Sequence, residues 1–528
     1  MGRALTVIHA LGLLLVVFSA AYAIPVATSL IYGDRDMLLD FLLAMVWTAA
    51  AGVLMWLLTR RYKGELSIRH GYLLVVTMWT AMPLFATLPL LLAIPGLSFT
   101  DAYFEAMSAM TTTGATTLTG LDFLPPSINV WRHELQWIGG LGVIVLAVAV
   151  LPLLGIGGRQ LFRAEMPGPM KDTALTPRIA DTARNLWIIY VVATLLCIGA
   201  LKWAGMNWLD AVCHAFSAMG LGGFSTHDAS IGYFDSPLIE FVLMAFMLFA
   251  VVSFVTHFLV WRGKSPGAYL RDSEAVATLG LILSSCLGIA LFLWWNGVYP
   301  EFVTALRHTS FNLVSIATDS GYASVDYAQW PIFAPLWMIF LGCICASSGS
   351  TGGGIKMIRT LVLVKQAGRE FIKLLHPSVV NPMKIGGHVV PNNIVFAVLG
   401  FIFLYFMTIA TLTFVLLISG MDFLTGFSAA LAMVNNIGPG LGTVGPASNY
   451  QSLTDFQTWV CAFGMLVGRL EIFGRHRALA QLDHHVADQR EGLFAGGDAA
   501  DQLDQLHDRH RVHEVHAHEL GRTVGRGT

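Results

Sequence analysis

Four short polar stretches centred on glycine carry the chemistry this chain can do. They are Thr111-Thr112-Thr113-Gly114-Ala115-Thr116, Gly220-Leu221-Gly222-Gly223-Phe224-Ser225, Thr318-Asp319-Ser320-Gly321-Tyr322-Ala323 and Asn435-Asn436-Ile437-Gly438-Pro439-Gly440. Their central glycines recur roughly every hundred residues, each between two long apolar runs. Non-helical backbone at membrane depth survives only where it is buried in protein or lines water. Extended backbone offers one carbonyl oxygen per residue, and a ring of such oxygens can replace the hydration shell of a cation. Glycine reaches positive φ at little cost and lets successive carbonyls turn toward one axis. The candidate ion contacts are therefore Thr112, Thr113 and Gly114; Leu221, Gly222 and Gly223; Asp319, Ser320 and Gly321; and Asn436, Ile437 and Gly438. The threonines either add oxygens to the site or fix the loop by hydrogen bonds. A single glycine of this kind would more often serve close helix packing; four in register favour the ring.

Such loops need a membrane scaffold, and the composition supplies one. Of 528 residues, 55% are hydrophobic and 12% charged, against about 25% charged in a soluble domain. A net charge of −2 gives no nucleic-acid signal. The six cysteines lie in or beside apolar runs and read as packing. A span needs about 20 apolar residues. Ten are predicted: Ala4–Ile31, Met37–Leu58, Gly71–Ile94, Trp137–Ile156, Leu186–Trp203, Leu238–Trp261, Ala275–Trp295, Ile332–Ser347, Ile394–Ser419 and Phe456–Phe473. The first is too long for a signal-peptide core. Segments 101–113, 210–222, 305–320 and 424–437 are too short to cross and read as half-helices that enter and turn back.

Basic residues concentrate in alternate loops: Arg60, Arg61, Lys63 and Arg69; Arg159, Arg163, Lys171, Arg178 and Arg184; Arg262, Lys264 and Arg271; Arg359, Lys365, Arg369, Lys373 and Lys384. The positive-inside rule makes those loops and the N-terminus cytoplasmic. The glycine stretches then open outward, with Asp101, Asp122, Asp210, Asp228, Asp235, Asp319, Asp326 and Asp422 nearby. These carboxylates either raise local cation concentration or are ordinary solvated loop charge.

Aligning the glycines pairs Asp101-Ala-Tyr-Phe-Glu-Ala-Met-Ser108 with Asp210-Ala-Val-Cys-His-Ala-Phe-Ser217, with weaker copies from His308 and Thr425. The expected fold is an all-α polytopic membrane protein. Two N-terminal helices precede four pseudo-symmetric helix–pore-loop–helix repeats around a central pore. All repeats share one orientation, unlike inverted transporter repeats. The expected boundaries are 1–66 for the N-terminal pair, 67–158, 159–264 (with a cytoplasmic linker), 265–375 and 376–473 for the repeats, and 474–528 for a polar tail.

Two features fall outside the ring. Ser347-Ser-Gly349-Ser-Thr-Gly352-Gly353-Gly354 interrupts the eighth predicted span before Lys356. It reads as a flexible plug, because a polar glycine cluster cannot face lipid. Its likeness to a phosphate loop fails for want of Gly-Lys-Ser/Thr. Arg469 lies late in the last span, where a buried arginine is costly and functional by default. It either faces the pore, or snorkels inward or pairs with Glu471.

These loops, with Gln136-Trp-Ile-Gly-Gly-Leu-Gly142, Ala164-Glu-Met-Pro-Gly-Pro169, Gly349-Ser-Thr-Gly-Gly-Gly354 and Gly468-Arg-Leu470, resemble the TrkH family of bacterial potassium-uptake subunits, within the superfamily of potassium transporters. The likeness covers about residues 1–473. It implies K+ as the transported ion, no catalytic cofactor and no enzymatic activity. It implies a homodimer in the lipid of the bacterial inner membrane, with a cytosolic nucleotide-binding regulatory subunit of TrkA type. It maps the gate onto Gly349, Gly352, Gly353, Gly354, Lys356 and Arg469. Gly114 matches potassium-selective members. Asp319 departs from the hydroxyl residue expected at its position. Symport with protons or sodium, and a non-conducting scaffold or receptor, remain the alternatives. A membrane-embedded hydrolase lacks any constellation of acid, base and nucleophile at depth.

After Phe473 the character changes. Residues 474–528 hold 8 of the 17 histidines, seven arginines and no lysine. A reading-frame change near codon 474 is the expectation, tested by resequencing. Metal binding by the histidines has no repeated ligand spacing behind it.

Overall fold

The computed structural model describes residues 2–62, 68–140, 142, 175–386 and 388–470. The stretch Ala164–Pro169, most of the predicted span Trp137–Ile156, Glu471 and the tail 474–528 lie outside them. The described chain is helical apart from loops and one antiparallel pair of two-residue strands, Lys384–Ile385 with His388–Val389. Gly2–Phe18 continues through a 3-10 turn, Ser19–Tyr22, into Ala23–Tyr32. It packs against Arg35–Thr59, where a Cβ on Gly12 would lie 2.8 Å from the Gly52 carbonyl oxygen and one on Gly52 2.7 Å from that of Gly12. Small residues let these backbones touch, as membrane helices without a hydrophobic drive between them require.

The same plan then recurs. A long helix leads (Ile68–Ala93, Leu175–Trp203, Ser273–Trp295, Asn392–Ile418), a short one follows (Phe99–Met110, Trp208–Gly220, Phe302–Ala317, Phe423–Asn435), and after the glycine loop a third leads away (Pro126–Gly140, Pro237–Val251, Phe333–Ile344, Asp455–Leu470). Ser98, Asn207 and Asp422 cap three of the short helices by accepting a backbone N–H through their side chains. Such caps are each worth about 1 kcal/mol. Asp34 caps Arg35–Thr59 in the same way.

Two of the ten predicted spans are interrupted in the structure. Among the described residues, six helices are long and apolar enough to cross a membrane. A seventh candidate, Pro237–Val251 with Phe254–Gly263, bends by 92°, so the predicted Leu238–Trp261 is not one straight helix. The predicted Ile332–Ser347 is a helix only over Phe333–Ile344, 12 residues, or about 18 Å at 1.5 Å per residue, against a core of about 30 Å. The two breaks share a cause. At them, Val251 O accepts from Ser347 N at 3.2 Å and Phe254 N donates to Gly349 O at 3.1 Å. Each interruption thus supplies the backbone partner that the other has lost. Hydropathy sees the apolar run and not this exchange.

Candidate functional site

Each short helix ends in the same way. Thr112, Leu221, Asp319 and Asn436 adopt left-handed backbone, with φ of 57°, 54°, 64° and 56°. The following amides, of Thr113, Gly222, Ser320 and Ile437, donate to Ser108, Ser217, Ser315 and Ala432 carbonyls at 2.8, 2.9, 2.8 and 2.9 Å. The left-handed residues donate to Ala109, Ala218, Ile316 and Met433 at 3.1–3.3 Å. This is the Schellman ending, whose left-handed residue is usually glycine or asparagine. A left-handed residue other than glycine costs roughly 1–2 kcal/mol. That strain persists only where the surroundings over-determine it.

The central glycines follow, with φ of 80°, 72°, 83° and 96° for Gly114, Gly223, Gly321 and Gly438. Their conformation is half of the requirement. A Cβ on Gly114 would lie 1.9 Å from Gly222 O, one on Gly223 1.8 Å from Ser320 O, one on Gly321 2.2 Å from Ile437 O, and one on Gly438 2.6 Å from Thr113 O. Repeat 1 meets repeat 2, 2 meets 3, 3 meets 4, and 4 meets 1. The four loops therefore close into a ring through backbone-to-backbone contact, in chain order.

Buried side chains brace the ring. Glu105 accepts from Thr116 Oγ1 and from the Thr117 amide, and pairs with Arg132 at 2.7 Å; both side chains are 1% exposed. In repeat 2, His214 Nε2 and Ser225 Oγ are 3.0 Å apart. In repeat 3, Asn312 donates to Ser324 Oγ and accepts from the Ser324 amide. Glu105, His214 and Asn312 stand nine residues before their glycines. The fourth repeat has Ala429 there, and Ser428 takes over, bonding the amide and carbonyl of Leu441. Gln136 Nε2 donates to Gly222 O at 2.7 Å, while its Oε1 accepts from Ser217 Oγ and the Phe224 amide. Tyr450 donates to Gly438 O at 2.8 Å. Gln136 heads a stretch quoted above for its likeness to the family, but no bracing role was read from the sequence for any of these residues; for Glu105, His214 and Asn312 the signal available was a polar residue at one fixed offset in three copies.

The threonines take the loop-fixing alternative. Thr113 Oγ1 lies 2.8 Å from Thr111 Oγ1 and accepts from Asn436 Nδ2 at 2.9 Å, which ties repeat 4 to repeat 1. Thr112 Oγ1 accepts from Arg469 Nη1 at 3.2 Å. Ser320 Oγ lies 3.0 Å from Thr318 Oγ1.

Segment 345–356 lies against the ends of the second, third and fourth short helices and is linked to the first through Arg469. Gly353 N donates to Asp319 Oδ2 at 2.9 Å, Thr351 Oγ1 donates to Met219 O at 3.2 Å, and a Cβ on Gly353 would lie 2.1 Å from Asn435 O. Arg469 Nη1 bridges Thr351 O and Thr112. Arg469 Nη2 donates to Gly139 O and Gly140 O. The arginine thus turns inward onto backbone oxygens and does not snorkel. Lys356, 7% exposed, donates from Nζ to Gly352 O. The segment is pinned at several points, where the sequence suggested flexibility. Glycines of two stretches noted in the sequence serve the same region: a Cβ on Gly139 would lie 2.0 Å from Met110 O and one on Gly468 2.2 Å from Val434 O. They let the departing helices press against the ends of the short ones.

The acidic residues largely have local work. Asp228 accepts from the Gly120 and Leu121 amides, Asp122 from the Asp228 amide, and Asp235 pairs with Arg307. Asp422 caps its helix, and Asp326 accepts from the Ala328 amide. Asp319 departs from the outward set: it is fully buried at the inner end of its short helix, beside segment 345–356.

A family model for the cation transport protein TrkH matches residues 38–482. The chain belongs to the TrkH family. It is 44% identical over 475 residues to the Trk system potassium uptake protein TrkH of Salmonella typhimurium, covering 89% of this chain and 97% of that one. Its identity to the TrkH protein of Escherichia coli K12 is 43% over the same length and coverage. The crystal structure of the potassium transporter TrkH from Vibrio parahaemolyticus superposes with a TM-score of 0.80 at 41% identity, covering 89% of this chain and 97% of that one.

Proposed function

We propose that this chain is the ion-translocating subunit of a Trk-type potassium-uptake system, passing K+ through the ring of glycine loops. The closed chain of glycine-to-carbonyl contacts carries this reading. Packing alone would not need four loops, spread over more than three hundred residues, to meet through bare backbone in cyclic order. Backbone oxygens of residues 112–114, 221–223, 319–321 and 436–438 supply the cation with the contacts it loses from water. The buried braces fix the spacing of those oxygens in advance, so little reorganisation is needed when the ion arrives. Segment 345–356 is the gate, with Lys356 and Arg469 placing positive charge beneath the ring. The basic loops orient the N-terminus and the gate toward the cytoplasm of a bacterial inner membrane. The relatives' names, as parts of a Trk system, support partner subunits; in this reading they are a second copy of the chain and a cytosolic nucleotide-binding subunit of TrkA type.

Rubidium-86 uptake by purified protein in liposomes tests it. Uptake should be suppressed by competing potassium far more than by sodium. Absence of flux would favour a scaffold. Flux that stops when a proton or sodium gradient is collapsed would replace passive conduction with symport.

A further inference from the structure

The third repeat differs from the others at its left-handed residue. Thr112 accepts from Arg469, and Asn436 donates to Thr113 Oγ1 and Met465 O, its own Oδ1 having no hydrogen-bond partner among the described residues but carrying no charge. Leu221 is apolar and 1% exposed. Asp319 alone of the four brings a carboxylate, fully buried. Its Oδ2 accepts from Gly353 N at 2.9 Å, and a Cβ on Gly352 would approach that oxygen to 3.0 Å. Its Oδ1 has no hydrogen-bond partner among the described residues. Lys356, whose Nζ donates to Gly352 O, brings a positive charge onto the same segment as Gly352 and Gly353. A buried carboxylate with one unsatisfied oxygen is costly to hold and seeks further positive charge.

We propose that Asp319 is the latch of segment 345–356 and the group through which a permeating monovalent cation releases it. Without the ion, the carboxylate holds the segment against the third repeat through the Gly353 amide and the charge of Lys356. A cation leaving the ring attracts the carboxylate, whose Oδ1 lies against Gly342 of the departing helix. It competes with the amide and the ammonium for the carboxylate, and the segment lets go. The inference rests on the reading of this segment as the gate. It adds that the cargo opens the gate, through a residue whose three counterparts are uncharged.

The test is initial rubidium-86 flux into liposomes over a range of rubidium concentrations, on full-length protein that elutes as folded. Asp319→Asn keeps a residue that tolerates left-handed backbone and removes the charge; Asp319→Thr serves as a second variant. Both should raise flux at low rubidium about tenfold, the weight of one charge-assisted hydrogen bond. Both should abolish the upward curvature of flux against concentration that a cargo-opened gate produces. Gly353→Ala opens the segment by another route, because its Cβ would collide with Asn435 O. If Gly353→Ala raises flux and both Asp319 variants leave it unchanged, the gate stands and the latch is refuted. If none of the three raises flux, the gate reading falls and the latch with it. If the Asp319 variants lower the rubidium-to-sodium ratio without raising flux, the carboxylate belongs to the filter, and the latch is again refuted.

Discussion

Replacing Gly114 by alanine tests the ring at one of its four backbone contacts. The new Cβ would lie 1.9 Å from Gly222 O, where ordinary contact begins at 3.4 Å, so backbone must retreat by about 1.5 Å. Left-handed alanine adds roughly 1–2 kcal/mol, and overpacking adds typically 1–3 kcal/mol. The cost, about 2–5 kcal/mol in total, falls on two backbone segments of the ring. If even about 1.4 kcal/mol of it appears as a difference between ions, the ratio changes tenfold. The expected result is a rubidium-to-sodium flux ratio lowered at least tenfold in liposomes, with the protein still folded. Gly96→Ala is the control: its φ is 81°, yet nothing lies within 4 Å of its Cβ. It carries the same backbone strain without the collision and should keep the ratio. A Gly114→Ala protein that folds and holds the wild-type ratio within twofold would refute the argument that these contacts set ion preference.

Three further outcomes follow from the braces. Gln136→Leu leaves Ser217 and the Phe224 amide without their acceptor, at about 1–3 kcal/mol per buried group, and frees Gly222 O; paired flux measurements should show lower selectivity with normal expression. Glu105→Gln strips Arg132 of its buried counter-charge at a cost of about 3–5 kcal/mol, so little folded protein should survive size-exclusion chromatography, and Glu105→Gln with Arg132→Met should recover part of it. His227 sits between Asp122 and Asp210; burial opposes its charge, but the hydrogen bonds and charges of the two carboxylates outweigh burial and hold its pKa above the usual histidine range. Burial likewise opposes the charge of Asp122, and the bond to His227 with that from the Asp228 amide outweighs it and holds the carboxyl below its usual range. The clamp between repeats 1 and 2 is therefore intact between those two values. Its contribution is lost as pH rises through the raised His227 value and as pH falls through the lowered Asp122 value. Thermal unfolding in detergent should show an alkaline decline that His227→Gln removes; identical alkaline limbs would sink the clamp.

Local signals in the chain were enough for the broad architecture. Long apolar runs, short runs ending at glycine and alternating basic loops are written in consecutive residues, because desolvation and left-handed backbone are properties of a segment. The repeat could be read from Asp101–Ser108 and Asp210–Ser217 side by side. Partnership could not. Glu105 and Arg132, Gln136 and Gly222, and Thr113 and Asn436 find each other across 27, 86 and 323 positions, and no spacing rule names such pairs. The bend after Val251 was hidden for the same reason: its lost hydrogen bonds are repaired by Ser347 and Gly349, nearly a hundred residues on. The sequence also set Asp319 among outward charges, since sidedness follows loop order, whereas the fold buries it beside Gly353. The chain alone dictates where backbone leaves the helix; only the packed structure decides which carbonyl each bare glycine admits, because that contact exists between repeats and within none of them.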